Sequence, residues 1–98
     1  MTDFDYKQFD DTLQSRIRVA ITAALVSVVE ADFNFLKDMV KTTDGNLSTH
    51  LRKLEDAGYV SMKKKFVNRK PQTKYKITEK GRRALTEHIN ILEKLIKK

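Results

Sequence analysis

The sequence predicts a mainly α-helical chain with one small β-hairpin, and three observations carry that reading. Apolar residues recur at helical spacing in successive blocks from Leu13 to Leu54, and again from Leu85 to Ile96. Between Tyr59 and Ile77 the pattern changes to alternation on either side of Asn68-Arg69-Lys70-Pro71. Charge is also unevenly placed. Up to Gly58 there are seven Lys/Arg against ten Asp/Glu, whereas from Tyr59 onward there are thirteen against three, within a net charge of +7 over 98 residues.

Taken in order, residues 1–10 form an arm with little pattern, although Phe4, Tyr6 and Phe9 are more aromatics than a free tail carries. A first helix is expected over 11–29, where Leu13, Ile17, Ile21, Ala24, Leu25 and Val28 share a face. Asp32 is placed to cap a second, short helix over 32–41 containing Phe35, Leu36, Met39 and Val40. Thr42 and Thr43 make the turn into a third helix over 43–58. Its N-cap is Thr43, its apolar stripe is Leu47, Leu51 and Leu54, and its stop is Gly58. Two helices joined by so short a turn follow the helix-turn-helix plan. A hairpin is expected over 59–77, with Val60, Met62 and Phe66 on one side and Pro71 as the breaker in its turn. Thr78 then caps a last helix over 78–97. Three helices, a hairpin and a closing helix together describe a winged helix-turn-helix, and at this length one domain over 1–98 is expected.

Several function classes fall away on composition. With no Cys there are no disulfides, thiolate metal sites or cysteine nucleophiles. Two isolated histidines do not make a zinc site, so no metal and no cofactor are expected. No nucleophile–base pair, paired carboxylate cleft or glycine-rich phosphate loop points to an enzyme, and no catalytic residue is assigned. The acidic start is not a signal peptide, and the run around Ala20–Val29 is too short and polar to span a bilayer. A cytoplasmic protein that does not engage membranes is therefore expected.

The combination DFNFLKDMVKTTDGNLSTHLRKLEDAGYV, a basic hairpin ending KYKIT, and TEKGRRAL resembles the small winged-helix transcriptional regulators of the MarR and ArsR groups. Ser48-Thr49-His50-Leu51 is similar to their recognition-helix motif, and Arg18-Val19-Ala20-Ile21 to the start of their first helix. The resemblance covers about residues 13–92 and implies a homodimer that binds a pseudo-palindromic operator, usually to repress. It leaves a small-molecule effector open, because the chain lacks sensor cysteines and is shorter than the larger members.

On the third helix, Gly45, Asn46, Ser48, Thr49, Arg52 and Lys53 lie away from or beside the leucine stripe and are expected to contact double-stranded DNA. Small residues permit close approach, polar ones read base edges, Arg52 suits a guanine and Lys53 a phosphate. Asp56, on the same outward face, would repel phosphate and is expected outside the contact zone. Lys64, Arg69, Lys70 and Lys74 are expected to carry the wing's contacts. His50 and His88 are read as packed histidines, His88 also lying where a dimer face would run. Phe9 and Leu13, with Leu85, His88, Ile89, Leu92, Leu95 and Ile96, are the expected dimerisation residues. The competing reading is a winged-helix module for a protein or RNA partner, which would show exposed apolar anchors on the third helix; this one shows none.

Overall fold

A computed structural model describes residues 6–97; Phe4 and the rest of residues 1–5 of the arm, and Lys98, lie outside the described residues. Two single 3-10 turns, Tyr6–Gln8 and Asp11–Leu13, lead into α1 (Arg16–Val26), β1 (Ala31–Asp32), α2 (Phe33–Val40) and α3 (Asp44–Asp56). Strands β2 (Val60–Val67) and β3 (Lys70–Ile77) then form the hairpin, and α4 (Glu79–Ile96) closes the chain. This is the winged helix-turn-helix architecture, with a three-stranded antiparallel sheet in the order β1-β3-β2.

All four helices begin the same way. The side chains of Ser15, Asp32, Thr43 and Thr78 accept from the backbone N–H of Arg18, Phe35, Asn46 and Gly81 respectively. Each such cap is worth about 1 kcal/mol, because it satisfies a donor with no partner inside its helix. The expected first helix is shorter than its apolar pattern. Ser15 caps at Arg18, so Asp11–Leu13 stays a separate turn, and Ser27 ends α1 by donating from its hydroxyl to Ala24 O at 2.7 Å. The released segment runs on as β1, whose Ala31 and Asp32 pair with Tyr75 and Lys74. A strand of two residues has no periodicity to reveal it.

The core is one cluster. Leu36, Leu47, Leu51 and Leu54 from the two central helices meet Ile21 and Leu25 of α1, Tyr59 at the exit of α3, and Val60 and Tyr75 of the sheet, all buried. Burial of a leucine or isoleucine side chain contributes about 1.5–3 kcal/mol, so the stripe on α3 alone fixes its roll against α1. At its C-terminus α3 ends in a Schellman motif. Gly58 takes φ +79°, its N–H donates to Glu55 O, and the Tyr59 N–H donates to Leu54 O, both at 2.9 Å.

The hairpin closes at Val67↔Lys70, with Asn68 and Arg69 at φ 52° and 66°, the signature of a two-residue type I′ turn. Pro71 is therefore a strand residue opposite Phe66, not the turn breaker expected. The pair next to a closing hydrogen-bonded pair is not itself hydrogen-bonded, so its missing N–H faces the open edge beyond β1. Alternation sends Val60, Met62, Lys64 and Phe66 to one face of the wing with Pro71, Thr73, Tyr75 and Ile77. The other face carries Lys63, Lys65, Lys70, Lys74 and Lys76.

The last helix turns Leu85 and Ile91 inward, where both are buried, with His88 and Leu95 half-buried beside them. Ile89, Leu92 and Ile96 stay exposed at 46%, 40% and 80%. The expected seam thus divides. Leu85 packs inside the domain, as does Leu13 at 1% exposure, and neither offers surface to a second copy, contrary to the expected dimerisation role. Ile91, not anticipated, belongs to the inner face.

At the start of α4 the helix lies so close to the third helix's exit that a Cβ on Gly81 would overlap the Tyr59 carbonyl oxygen. Gly81→Ala is expected to destabilise the fold by about 2 kcal/mol, read as a lower midpoint in denaturant with an unchanged slope. An unchanged midpoint would show that α4 is free to back away.

Candidate nucleic-acid interface

The outer face of α3 is built by subtraction. Once Leu47, Leu51 and Leu54 are buried, helical spacing leaves Gly45, Asn46, Ser48, Thr49, Arg52 and Lys53 exposed. None of the side chains of Asn46, Ser48, Thr49, Arg52 and Lys53 has a hydrogen-bond or ion-pair partner among the described residues. A Cβ on Gly45 would meet nothing within 4 Å, so the glycine is not required by packing and leaves the first turn bare. Asp44, in that turn, is held by Lys37 of α2 at 2.7 Å, and this contact raises the lysine's pKa. The pair is well exposed and contributes little to stability, but it turns the carboxylate aside from the face.

The roll of α3 is also fixed by a polar contact. Arg18 donates from Nη1 to His50 Nδ1 at 2.9 Å and from Nε to the Thr12 carbonyl. One guanidinium thereby ties the Asp11–Leu13 turn, α1 and the recognition helix together. Because the arginine only donates, His50 Nδ1 accepts and the imidazole is neutral. Burial, then Arg18 and then Lys53, hold its pKa below the usual histidine value. His50 is thus the packed histidine expected, and Arg18 is a positioning residue that sequence reasoning placed only by resemblance.

His88 packs under the arm, its ring centroid 5.4 Å from that of Phe9, so these two expected dimer residues meet within one protomer. Its Nδ1 is buried with no hydrogen-bond partner among the described residues.

On the wing, Lys64, Arg69 and Lys70 are exposed and unpaired among the described residues. Lys74 is not. Its ammonium stands 3.9 Å from Asp32 Oδ2 and its side chain is only 22% exposed, which removes it from the expected set of contacts. Lys65 is likewise held by Glu30 at 2.9 Å, and this contact lowers the glutamate's pKa. These two pairs fasten the middle of the wing, at the Lys63↔Lys74 and Lys65↔Gln72 positions, to Glu30 and Asp32 and leave its tip cationic. Only the strand register brings Glu30 and Asp32 beside those lysines, so sequence spacing alone could not find them.

Recognition helix and wing together define a DNA-binding protein of the winged-helix class. The chain belongs to the winged helix DNA-binding domain family, whose model matches residues 17–96. It is 44% identical over 75 residues to an uncharacterized protein of Methanocaldococcus jannaschii, spanning 76% of this chain and 82% of that one. Among solved structures it is similar to a transcriptional regulator homologue from Pyrococcus horikoshii, with a TM-score of 0.77 and 27% identity over 93% and 95% of the two chains. PadR of Bacillus subtilis, solved in complex with operator DNA, shares the fold at a TM-score of 0.70 and 18% identity, over 76% of this chain and 47% of PadR. The chain is thus a winged-helix DNA-binding domain, and it shares that fold with PadR and with a zinc-responsive MarR family member of Lactococcus lactis. No helix among the described residues is long and apolar enough to cross a membrane.

Arg69 holds a left-handed conformation in which glycine is preferred, at a cost of about 1 kcal/mol to an L-residue. Arg69→Gly is therefore expected to raise the thermal midpoint while weakening binding to a mixed-sequence duplex and lowering its salt slope by about one. Loss of stability together with affinity would mean that the arginine packs and does not bind.

Proposed function

We propose that the protein is a sequence-specific transcriptional regulator that binds its operator as a homodimer. The outer face of α3 lies in the major groove and the wing tip on the adjacent minor groove and backbone. The observation that carries this reading is the unpartnered polar face of α3. Its side chains have no hydrogen-bond or ion-pair partner among the described residues, and they are of the types that read base edges and phosphates. In this reading Arg52 takes a guanine edge, Asn46, Ser48 and Thr49 the neighbouring edges and phosphates, and Lys53, Lys64, Arg69 and Lys70 the backbone. Regulation is repression by occupation of a promoter, in the cytoplasm, where a DNA-binding protein of this kind meets its operator.

The exposed stripe of Ile89, Leu92 and Ile96 supports pairing through α4. These residues step by three and four along one helix face, and the described residues leave all three exposed. Phe9, His88 and Leu95 flank that face. Leu92→Asp is expected to convert the dimer to a monomer in sedimentation while leaving the circular dichroism spectrum unchanged. A variant that remains dimeric would place the interface elsewhere.

Selection from a random-sequence duplex pool at two salt concentrations tests the function. The expected result is an inverted repeat with half-sites about 34 Å apart, bound more weakly at higher salt. Arg52→Ala should relax the preference at one position per half-site, at a cost of about 1–3 kcal/mol there. Salt-dependent binding with no enriched sequence would contradict operator specificity. No binding at low salt would instead favour a protein or RNA partner.

A further inference from the structure

The wing carries a feature that phosphate contact does not use. Phe66 is 80% exposed, one residue pair from the turn, and stands opposite Pro71. In a pair that is not hydrogen-bonded the side chains approach closely, so the rigid pyrrolidine backs the aromatic ring. Met62, 48% exposed, lies on the same face four residues back, with Lys64 between them on that row. β1 ends at the Asp32↔Lys74 pair, and although Glu30 reaches Lys65 and the start of α2 stands beside Pro71, Phe66 itself stays outside the core. An aromatic left in water here adds nothing to the core.

The surroundings identify what it meets. Lys64, Arg69 and Lys70 ring the tip, and no acidic residue occurs from Tyr59 to Ile77. A second protein surface would have to be strongly acidic and apolar at once. A DNA minor groove offers phosphates on both walls with a stack of aromatic bases between them. Apolar wedges beside cationic side chains are the usual means of prising open a base step from that side.

We propose that Phe66, backed by Pro71, is a wedge that enters the minor groove and leans into a base step, with Lys64, Arg69 and Lys70 holding the flanking phosphates. The inference rests on the DNA-binding reading above and adds to it a shape-sensing contact. Flexible pyrimidine–purine steps under the wing are favoured, because they open most easily. Part of the operator's sequence preference then lies outside the bases that α3 reads.

The chain has no Trp, so Phe66→Trp installs a single reporter at the tip. The exposure of the site keeps the substitution clear of the core. The probe is a short fluorescein-labelled mixed-sequence duplex at low salt, with anisotropy reporting binding independently of the tryptophan. The expected result is quenched emission and loss of acrylamide access as the duplex saturates, with Phe66→Ala weakening binding about tenfold, or about 1.4 kcal/mol. If anisotropy rises but emission and acrylamide access do not change, the wedge is overturned and DNA binding stands. Wild-type affinity in Phe66→Ala would overturn it equally. An emission shift that follows protein concentration without DNA would show a second copy as the occupant, and would also overturn it. No anisotropy change at all would remove the DNA reading and the wedge with it.

Discussion

The placement of the third helix, the wing and the last helix hangs from Tyr59. Its N–H ends the recognition helix by donating to Leu54 O, and its carbonyl accepts from Thr78 N at 3.0 Å, which joins the entry and exit of the wing. Thr78 donates from its hydroxyl to Gly58 O at 2.6 Å and accepts from Gly81 N, so the same junction starts α4. The tyrosine ring is buried, with the Lys80 ammonium 5.7 Å from its centroid, and its hydroxyl donates to Asp10 of the arm. Burial and that carboxylate push its pKa up to about 12, so it stays a donor at any ordinary pH. Recognition helix, wing, last helix and arm therefore share one fixed point. A side chain on Gly81 is excluded by the closeness of that junction.

The division of labour around this point is simple. Groups that fix geometry are paired or buried: the leucine stripe, Arg18 on His50, Glu30 on Lys65 and Asp32 on Lys74. Groups at the proposed contact surface are left open, on the outer face of α3 and at the wing tip. The strain at Arg69 fits this arrangement, since a turn that prefers glycine carries a guanidinium instead. Burial and capping stabilise the scaffold, and the exposed cationic tip adds little to folding.

Much of this was legible in the sequence because helices and caps are local. Thr43, Leu47, Leu51, Leu54 and Gly58 specify α3 from its own residues, and Thr78 does the same for α4. What was not legible depends on register or on three-dimensional direction. Two residues of β1 carry no pattern, so Glu30 and Asp32 could not be matched to their lysines, and Lys74 stayed among the expected contacts. The periodicity of α4 supports two apolar faces, and only packing shows that Leu85 and Ile91 turn inward while Ile89, Leu92 and Ile96 do not. Pro71 reads as a turn former on composition, yet type I′ geometry places it in the strand and frames Phe66 at the tip. Among the expected contact residues, those on α3 follow from a single helical wheel, whereas those of the wing needed the hairpin register.

A chain of this size suits residue-by-residue nuclear magnetic resonance, and amide shifts on titration with duplex DNA test the central claim most directly. The account predicts perturbations concentrated from Gly45 to Lys53 and from Lys64 to Lys70, with the inner face of α4 and the arm unmoved. Shifts centred on α4 or the arm, with the outer face of α3 silent, would contradict it.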